Sequence, residues 1–334
     1  MLLRAVLSYG VMIGRRILIA GAAGTTMGLP ARAQPTVPEV GFLHPGRSAA
    51  LAPRLAAVVE GLRSRGFVDG QTVSVVARFA DLDPQKTDAY AAEFIQRKVA
   101  VVLAVGPQAV KATRGVTTTV PIVALDLESD PVKSGYIEGL SHPGGNVTGL
   151  FFDFPDFSTK WLELLGETIP GLVRLGVLWD PSTGRVQLDA LTVAAANRKL
   201  GLQILQVASP SELDQALQAA SEGGAQAVLA LSSPVFGTIP EQVADAALRH
   251  HMPTITLFPE YADAGGLMAY GTNLTDLFRQ AGEIVGKVLA GTRPADLPVE
   301  RPSRFELVVN LKTAAALGLA IPQVVQLRAD RLVE

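Results

Sequence analysis

The sequence contains no cysteine. This absence excludes disulfide bonds, thiolate metal sites, iron–sulfur clusters, a cysteine nucleophile and a lipid-modified N-terminal cysteine. Aromatic residues make up only 6% of the chain and charged residues 18%. The formal net charge is −2 and no basic stripe stands out, which argues against nucleic acid as a partner. Beyond the N-terminal region, no segment is long and apolar enough to predict a membrane span.

Sequence signatures of common enzymes are also missing. Gly144 to Gly149 has the G-x-x-x-x-G spacing of a phosphate loop, but Leu150 and Phe151 follow where that loop needs Lys and Ser or Thr. There is no G-x-S-x-G, no H-E-x-x-H and no G-x-G-x-x-G after a predicted strand. The spacing of His and acidic residues suggests no metal site. The sequence therefore predicts a protein that is not an enzyme and needs no cofactor or metal.

The N-terminus has the features of an export signal. Arg4, Arg15 and Arg16 precede a short apolar run of small residues at 17–29, and Ala31-Arg32-Ala33 follows with A-x-A spacing. This pattern predicts a secretory signal peptide over residues 1–33, cleaved after Ala33. An N-terminal anchor helix is the alternative, although the run is shorter than the roughly 20 residues of a membrane span. Two adjacent arginines leave both general secretion and twin-arginine export open.

After the signal, apolar strand-like runs alternate with amphipathic helical runs. Val99–Val105 is apolar throughout, as in a strand buried on both faces of a parallel sheet. Asp83-Pro84 is typical of an N-cap followed by proline at the first helical position. The β-α-β-α order predicts an α/β fold with a doubly wound, Rossmann-like sheet and right-handed crossovers. The predicted strands of this first series are Val40–His44, Thr72–Ala77, Val99–Val105 and Ile122–Leu125.

The stretch from Ile122 to Phe152 separates this series from a second one of the same kind. It ends a strand on Asp126, Glu128 and Asp130, and then passes through Pro and Gly residues to a short strand. We therefore expect two lobes joined by several crossings, with the working site in the cleft between them. The expected first lobe is residues 34–146 with about 272–292, and the second is 147–271 with about 303–334. Periodicity leaves the lobe of the C-terminal strand and helix open.

Ligands of open α/β sheets bind beyond the carboxyl ends of the strands. That rule selects polar and aromatic residues on two facing rims, which suit a small polar or zwitterionic solute with an apolar body. Several of these residues are also good turn and cap formers, so a structural role is the alternative for Asp126, Asp130 and Asp180. The candidate ligand-binding residues chosen this way are His44, Ser48, Gln108, Asp126, Asp130, Asp180, Ser232, Phe236, Phe258 and Glu260.

Several segments resemble a known family. Residues 66–73 (GFVDGQTV), 142–149 (HPGGNVTG), 265–271 (GGLMAYG) and 305–313 (FELVVNLKT) are similar, in order, to segments of ABC transporter substrate-binding proteins. That family includes tryptophan-binding, TrpX-type proteins and many members of unassigned ligand. The resemblance covers about Val37 to Glu334. His44-Pro45-Gly46 departs from many relatives at a ligand rim, so the resemblance does not carry a ligand identity.

The resemblance implies a periplasmic-binding-protein fold of type I, with two α/β lobes, three crossings and the ligand in the cleft. By position it adds Asn146 to the residues expected at the cleft or hinge, beside Asp130, Ser232 and Glu260. The expected function is capture of a small organic solute, such as an amino acid or aromatic compound, for delivery to an ABC permease. The expected location is the periplasm, without a lipid anchor or stable membrane insertion. A periplasmic sensing domain and, third, a doubly wound enzyme are the alternatives.

Overall fold

The computed structural model describes residues 37–47, 51–152 and 154–334. The predicted signal peptide and the candidate residue Ser48 lie outside the described residues. Within these ranges, the strands form one five-stranded and one seven-stranded sheet, each flanked by helices. The predicted α/β class with two Rossmann-like lobes is confirmed. None of the helices in the described ranges combines the length and the apolar run that a bilayer crossing requires.

The first lobe is built on the five-stranded sheet, whose order is β2-β1-β3-β4-β5 with all neighbours parallel. Strands β3 and β4 are buried at every residue, as continuous apolar runs predict. Asp83 caps α2 as predicted, accepting hydrogen bonds from the Gln85 and Lys86 amides. The elements are β1 (Glu39–His44), α1 (Ala52–Ser64), β2 (Ser74–Phe79), α2 (Pro84–Gln96), β3 (Val101–Val105), α3 (Gly106–Val116), β4 (Ile122–Asp126) and β5 (Val147–Phe151).

The second lobe contains the seven-stranded sheet, ordered β12-β11-β10-β9-β8-β6-β7, in which β10 and β11 are antiparallel. Its elements up to the return crossing are α4 (Phe154–Thr168), β6 (Arg174–Trp179), α5 (Val186–Asn197), β7 (Gly201–Gln206), α6 (Leu213–Glu222), β8 (Ala227–Ala230), α7 (Pro234–Gly237), α8 (Pro240–Arg249), β9 (Thr254–Thr256), α9 (Glu260–Asp263) and β10 (Met268–Gly271). The C-terminal elements are β11 (Glu306–Asn310), α11 (Leu311–Ala316), α12 (Gln323–Arg328) and β12 (Arg331–Val333).

The first lobe also receives a helix from late in the chain. Helix α10 (Leu274–Leu289) follows β10 and packs against α1 and the first sheet. The two helices approach closely because Gly61 and Gly282 lie at the contact. A Cβ on Gly282 would be 2.2 Å from the Val58 carbonyl oxygen, and one on Gly61 would be 2.0 Å from that of Arg279. Both distances are far below van der Waals contact, so neither helix tolerates a side chain there.

Within the described ranges, the chain passes between the lobes three times: from β5 to α4, from β10 to α10, and from α10 to β11. The boundary expected between residues 146 and 147 precedes β5, which pairs with β4, so the first sheet continues for five further residues. The third crossing is fastened to the first lobe, because the Glu300 carboxylate accepts hydrogen bonds from Gln280 (2.6 Å) and Lys287 (2.8 Å) on α10. The C-terminal strands, whose lobe periodicity alone left open, belong to the second sheet.

Candidate ligand-binding site

The carboxyl ends of the parallel strands in the two sheets face each other across the gap between the lobes. From the first lobe, His44 ends β1, Gly106 follows β3 and Glu128 follows β4. From the second lobe, Ser232 and Glu260 follow β8 and β9. Their positions agree with the rule that open α/β sheets bind ligands at this edge. In the described structure these two rims are in contact, so the cleft is closed.

Ser232 and Glu128 form one direct contact between the rims. The Ser232 hydroxyl donates to Oε1 of Glu128 at 2.5 Å, and the two residues are only 3% and 5% exposed. The Ser232 backbone is fixed by Gln187, whose side-chain amide donates to the Ser232 carbonyl and accepts from its N–H, each at 2.8 Å. Because both hydrogen-bonding groups of the Ser232 backbone are paired, its hydroxyl is presented to the first lobe in a fixed position.

Glu128 belongs to a buried group of acidic side chains. Asp126 accepts hydrogen bonds from the backbone N–H groups of Glu128 and Ser129, each at 3.0 Å, and from the Ser129 hydroxyl. Burial raises the pKa of Asp126, against the opposing effect of those bonds. Burial, reinforced by the negative charge of Asp126, raises the pKa of Glu128 to about 8. With its three donors Asp126 is the better anion, and Glu128 is the carboxyl that retains a proton at neutral pH.

Arg54, on the first turn of α1, is the cation of the site. One of its terminal nitrogens, Nη2, donates to the Gly237 carbonyl of the second lobe at 2.5 Å. The guanidinium carbon lies 5.7 Å from the centre of the Phe278 ring, within the range of a cation–π contact. Burial lowers the pKa of Arg54 to about 10, against the opposing charge of Glu260. The side chain therefore carries its positive charge at neutral pH into a largely apolar setting.

Glu260, from the second lobe, has one carboxylate oxygen with a partner and one without. Oε1 accepts from the Leu274 N–H at 3.0 Å, in the first turn of α10. Oε2 is buried and has no hydrogen-bond partner within the described structure. Burial raises the pKa of Glu260, while the Leu274 bond and the charge of Arg54 act to lower it. A buried acceptor left unpaired costs about 1–3 kcal/mol, so Oε2 is a favourable position for a donor from a ligand.

His44 is a neutral imidazole at the floor of the first-lobe rim. Its Nδ1 accepts a hydrogen bond from the Gly46 N–H at 2.9 Å, which places the ring proton on Nε2. The ring lies with its centre 6.2 Å from that of Phe278. Burial, together with the positive charge of Arg54, lowers the pKa of His44 well below its ordinary value. The residue can offer a ligand one N–H donor and no charge.

Two small cavities of about 40 Å³ each lie between the rims. Both contain Arg54, Ser233, Gly237, Phe258 and Leu274, so they are two chambers of one site. The first is completed by second-lobe residues that include Phe236 and Glu260, and the second by first-lobe residues that include His44, Glu128 and Phe278. Each cavity has room for about one or two water molecules. An organic solute therefore enters only when the rims move apart.

The structure brings some of the predicted residues to this site and places others elsewhere. His44, Phe236, Phe258 and Glu260 line the cavities, and Ser232 makes the rim contact. Asp126 lies behind Glu128. Asp180 accepts hydrogen bonds from the Ser182 N–H at 2.9 Å and the Ser233 hydroxyl at 2.6 Å, so it supports the second rim.

Gln108, Asp130 and Asn146 do not line the two cavities. Gln108 lies in an outer groove between α3 and the turn after β6. Asp130 caps the turn that follows it, accepting from the N–H groups of Val132 (3.0 Å) and Lys133 (3.1 Å). Asn146 precedes β5, at the amino end of the sheet, where it accepts from Arg114 at 2.9 Å and donates to the Val120 carbonyl. In the described structure, the Asp130 and Asn146 side chains make local hydrogen bonds, whereas Gln108 lines a groove formed by both lobes.

Sequence reasoning missed several residues that line the site, above all Arg54, Glu128, Leu274 and Phe278. Glu128 belongs to the acidic cluster after β4, and the carboxyl-end rule reaches that position. Arg54, Leu274 and Phe278 lie on helices and not on strand-end loops, so that rule does not reach them. A charged residue in the first turn of an amphipathic helix is normally on a solvated face, and only the packing of α1 against the second lobe buries Arg54.

Among residues 37–47, 51–152 and 154–334, no group of three or more acidic or histidine side chains has the arrangement of a metal site. The site instead offers one guanidinium, a free carboxylate oxygen, a neutral imidazole N–H and aromatic walls. Two Rossmann-like lobes joined by several crossings and meeting over such a cleft define the type I fold of periplasmic binding proteins. The chain belongs to the ABC transporter substrate binding protein family, whose model matches residues 42–333.

Relatives agree with this assignment. A "Tyrosine-binding protein" of Clostridioides difficile (strain R20291) is 25% identical over 263 residues, which is 78% of this chain and 75% of the relative. A structure from Streptococcus pneumoniae, described as an ABC domain in complex with L-Trp, has a TM-score of 0.81 and 22% identity. A ligand-free, open structure of a Clostridium difficile substrate-binding protein with adhesive properties has a TM-score of 0.63 and 25% identity. Each match covers 89% of this chain and 99% of the other.

These two structures match the shape of this chain to different degrees. The open structure is slightly closer in sequence but much less similar in overall shape. When two lobes keep their folds and change their mutual angle, the global similarity falls in this way. In this chain, the direct contact between the rims is that of a closed cleft.

Proposed function

We propose that this protein is an extracytoplasmic solute receptor of an ABC importer that captures an amino acid in the interlobe cleft. The solute has an aromatic or large apolar side chain. The closed form delivers it to a membrane permease, and no bond in the solute changes. The family assignment supports the role in transport, and the Tyrosine-binding relative supports an amino acid as the solute.

The presence of Arg54 and Glu260 in one chamber is the observation that carries this proposal. The two side chains line the same chamber, come from opposite lobes and have opposite charge. An α-amino acid presents a carboxylate and an ammonium on one carbon, and these groups match Arg54 and the free Oε2 of Glu260. A carboxylate would take the Arg54 donor that the Gly237 carbonyl now accepts. A guanidinium binds a carboxylate more strongly than a neutral carbonyl because both partners are charged.

The remaining walls fit an apolar side chain. Phe236 and Phe258 from the second lobe, with Leu274 and Phe278 from α10, surround the charged pair. Aromatic rings of this kind favour offset or edge contacts with another ring, each contributing about 0.5–1.5 kcal/mol beyond the buried area. We therefore expect tyrosine, tryptophan or phenylalanine to bind in preference to a small or charged amino acid.

Binding and closure are linked because the charged pair is divided between the lobes. A solute that contacts both lobes stabilises the closed state by its difference in affinity for the two states. Moving a hinge from mostly open to mostly closed needs about 5.5 kcal/mol of such preference. Two charge-assisted hydrogen bonds of about 1.5–3 kcal/mol each, together with the burial of an aromatic side chain, supply this amount.

Calorimetric titration of the purified protein with L-tyrosine, L-tryptophan and L-phenylalanine tests the proposal. At least one of the three amino acids should bind. Tyramine lacks the carboxylate and 3-(4-hydroxyphenyl)propionate lacks the amine, so each should bind at least about tenfold more weakly than the amino acid.

Glu260→Gln and Arg54→Gln should each weaken binding of the amino acid by about 10–100-fold. The matched controls Glu241→Gln and Arg249→Gln change exposed residues on α8 and should leave the affinity unchanged. Equal binding of the acid, the amine and the amino acid would contradict the proposed contacts.

A further inference from the structure

The contact between Glu128 and Ser232 exists only when the cleft is closed. Glu128 follows β4 of the first sheet and Ser232 follows β8 of the second, so opening the lobes separates them. In the closed form the Ser232 hydroxyl is 2.5 Å from Oε1 of Glu128, and both side chains are almost completely buried. Opening would return the Glu128 carboxyl to water. Its surroundings therefore differ strongly between the two states of the protein.

The charged groups around Glu128 do not favour a second negative charge. Asp126, at the end of β4 and two residues before Glu128, is held by three donors and is the anion of the pair. Asp180 faces the contact from the end of β6, where it accepts from Ser233 next to Ser232. From the first lobe, His44 of β1 is neutral and Arg54 of α1 donates to the Gly237 carbonyl. No described cation lies within ion-pair distance of Glu128, so its charge is left without compensation in the closed cleft.

We propose that closure of the cleft takes up one proton on Glu128, so that the Glu128–Ser232 contact is a proton-dependent latch between the lobes. This inference rests on the proposed opening and closing of the cleft and does not depend on which solute binds. The carboxyl is ionised when the open cleft hydrates it, and it is protonated when the rims meet. If Asp126 carries part of the shared proton, the uptake for the pair is still one proton.

The direction of the pH dependence follows from the change in the pKa of Glu128. A hydrated glutamic acid has a pKa of about 4.3, and burial against Asp126 raises the pKa of Glu128 in the closed form to about 8. At pH values below the open-state pKa, protonation of Glu128 therefore makes its full contribution to the stability of the closed form. This contribution is lost progressively as the pH rises to the closed-state value, about tenfold in the closing equilibrium per pH unit.

His44 acts in the opposite direction over part of this range. Burial lowers its pKa, so closure releases a proton from His44 at any pH where the open form is protonated. A hydrated histidine has a pKa of about 6.5. Below about pH 6.5 the release from His44 offsets the uptake by Glu128. Between about pH 6.5 and 8 the release from His44 no longer offsets the uptake by Glu128, and this window is where closure becomes weaker as the pH rises.

Single-molecule fluorescence transfer between the lobes tests the latch without a solute. Because the chain has no cysteine, dyes can be attached at Val116→Cys on α3 and Val193→Cys on α5, which are 42% and 63% exposed on different lobes. The ratio of closed to open molecules should fall about tenfold in total between pH 6.5 and 8. In the same labelled protein carrying Glu128→Gln, which mimics the protonated carboxyl, the ratio should not change over this range.

Ser232→Ala provides the second variant. It removes the hydroxyl and leaves the titrating carboxyl, so the closed fraction should be lower at every pH while the slope between pH 6.5 and 8 remains. A ratio that is independent of pH in the unmutated protein would overturn the latch, and so would an identical slope in Glu128→Gln. Failure of L-tyrosine and L-tryptophan to bind would overturn only the proposed solute class, since the closure measurement contains neither.

Discussion

Gln187 has a position that no local pattern in its helix explains. It lies on α5, is 1% exposed, and uses its whole amide group to pair with the backbone N–H and carbonyl of Ser232. The two hydrogen bonds replace those that a neighbouring strand would have made beyond the end of β8. They fix the loop that carries Ser232 and Ser233, and therefore the second-lobe rim of the site.

Gln187→Met should destabilise the protein. The methionine fills a similar volume but leaves the Ser232 N–H and carbonyl buried without partners, at a cost of about 1–3 kcal/mol for each group. We expect the melting temperature to fall by at least about 4 °C, measured by circular dichroism.

Gln218→Met, on α6, is the control for Gln187→Met. Gln218 is exposed and donates only to Glu222 one helical turn away, so its loss should change the melting temperature by less than about 2 °C. Equal effects of the two substitutions would show that the amide of Gln187 does not hold the Ser232 backbone.

At this scale, the sequence could select residues on strand ends but not residues on helices. His44 ends an apolar strand, and Ser232 and Glu260 follow two others; the rule for open sheets places such residues at the binding edge. Arg54 has no such signal, because the part of α1 that meets the second lobe depends on how two separate domains pack. Asn146 precedes a strand, so the same rule places it at the opposite end. Its selection came from the family resemblance alone.

The pair of helices α1 and α10 is the contact that binds the return segment to the first lobe. Their closest approach is at Gly61 and Gly282, where each glycine faces the backbone of the other helix. Apolar residues of both helices, including Val58, Leu62, Phe278 and Val285, are buried around that point. Since α10 also carries Leu274 and Phe278 into the site, the spacing of the two helices positions one wall of the cleft.

Gly282→Ala should force α1 and α10 apart. The new methyl group would lie 2.2 Å from the Val58 carbonyl oxygen, which is backbone and cannot rotate away. We expect a loss of about 1–3 kcal/mol, as for other overpacked contacts, together with weaker solute binding because Phe278 and Leu274 shift. Chemical denaturation and calorimetry would measure the two effects.

Gly166→Ala is the matched helical control for this substitution. Gly166 lies on α4 and has open space at its Cβ position, so alanine should raise stability by about 0.5–1 kcal/mol through its better helix propensity. If Gly282→Ala behaves in the same way, the close contact between α1 and α10 does not limit the fold.

The order of helices and strands along the chain could be predicted from the sequence. Which strands lie next to each other in the sheets could be predicted only in part. The alternation of buried strands and amphipathic helices predicted two Rossmann-like lobes, and the fold confirms them. It did not predict that β11 joins the second sheet antiparallel to β10. The pattern of apolar residues in a strand indicates which of its faces are buried. The strands that pair with it are determined by long-range packing. The position of β5 in the first sheet likewise depends on its hydrogen bonds with β4.

The molecule as a whole behaves as two rigid lobes if the crossings provide the hinge. We expect small-angle X-ray scattering to show a radius of gyration that falls when L-tyrosine saturates the protein, because closure brings the lobes together. Glu260→Gln at the same L-tyrosine concentration should keep the larger radius, since binding is lost. A constant radius in the unmutated protein, under conditions where calorimetry records binding, would argue against a hinge that the solute closes.

The threefold passage of the chain between the lobes also affects its synthesis. The first lobe is made of β1 to β5 and α10. In the sequence, the second-lobe elements from α4 to β10 lie between β5 and α10. Until residue 289 has left the ribosome, α1 has no α10 to cover Val58 and Leu62. Neither lobe corresponds to a continuous segment that could mature by itself, so the folding of each half must wait for the translation of the other.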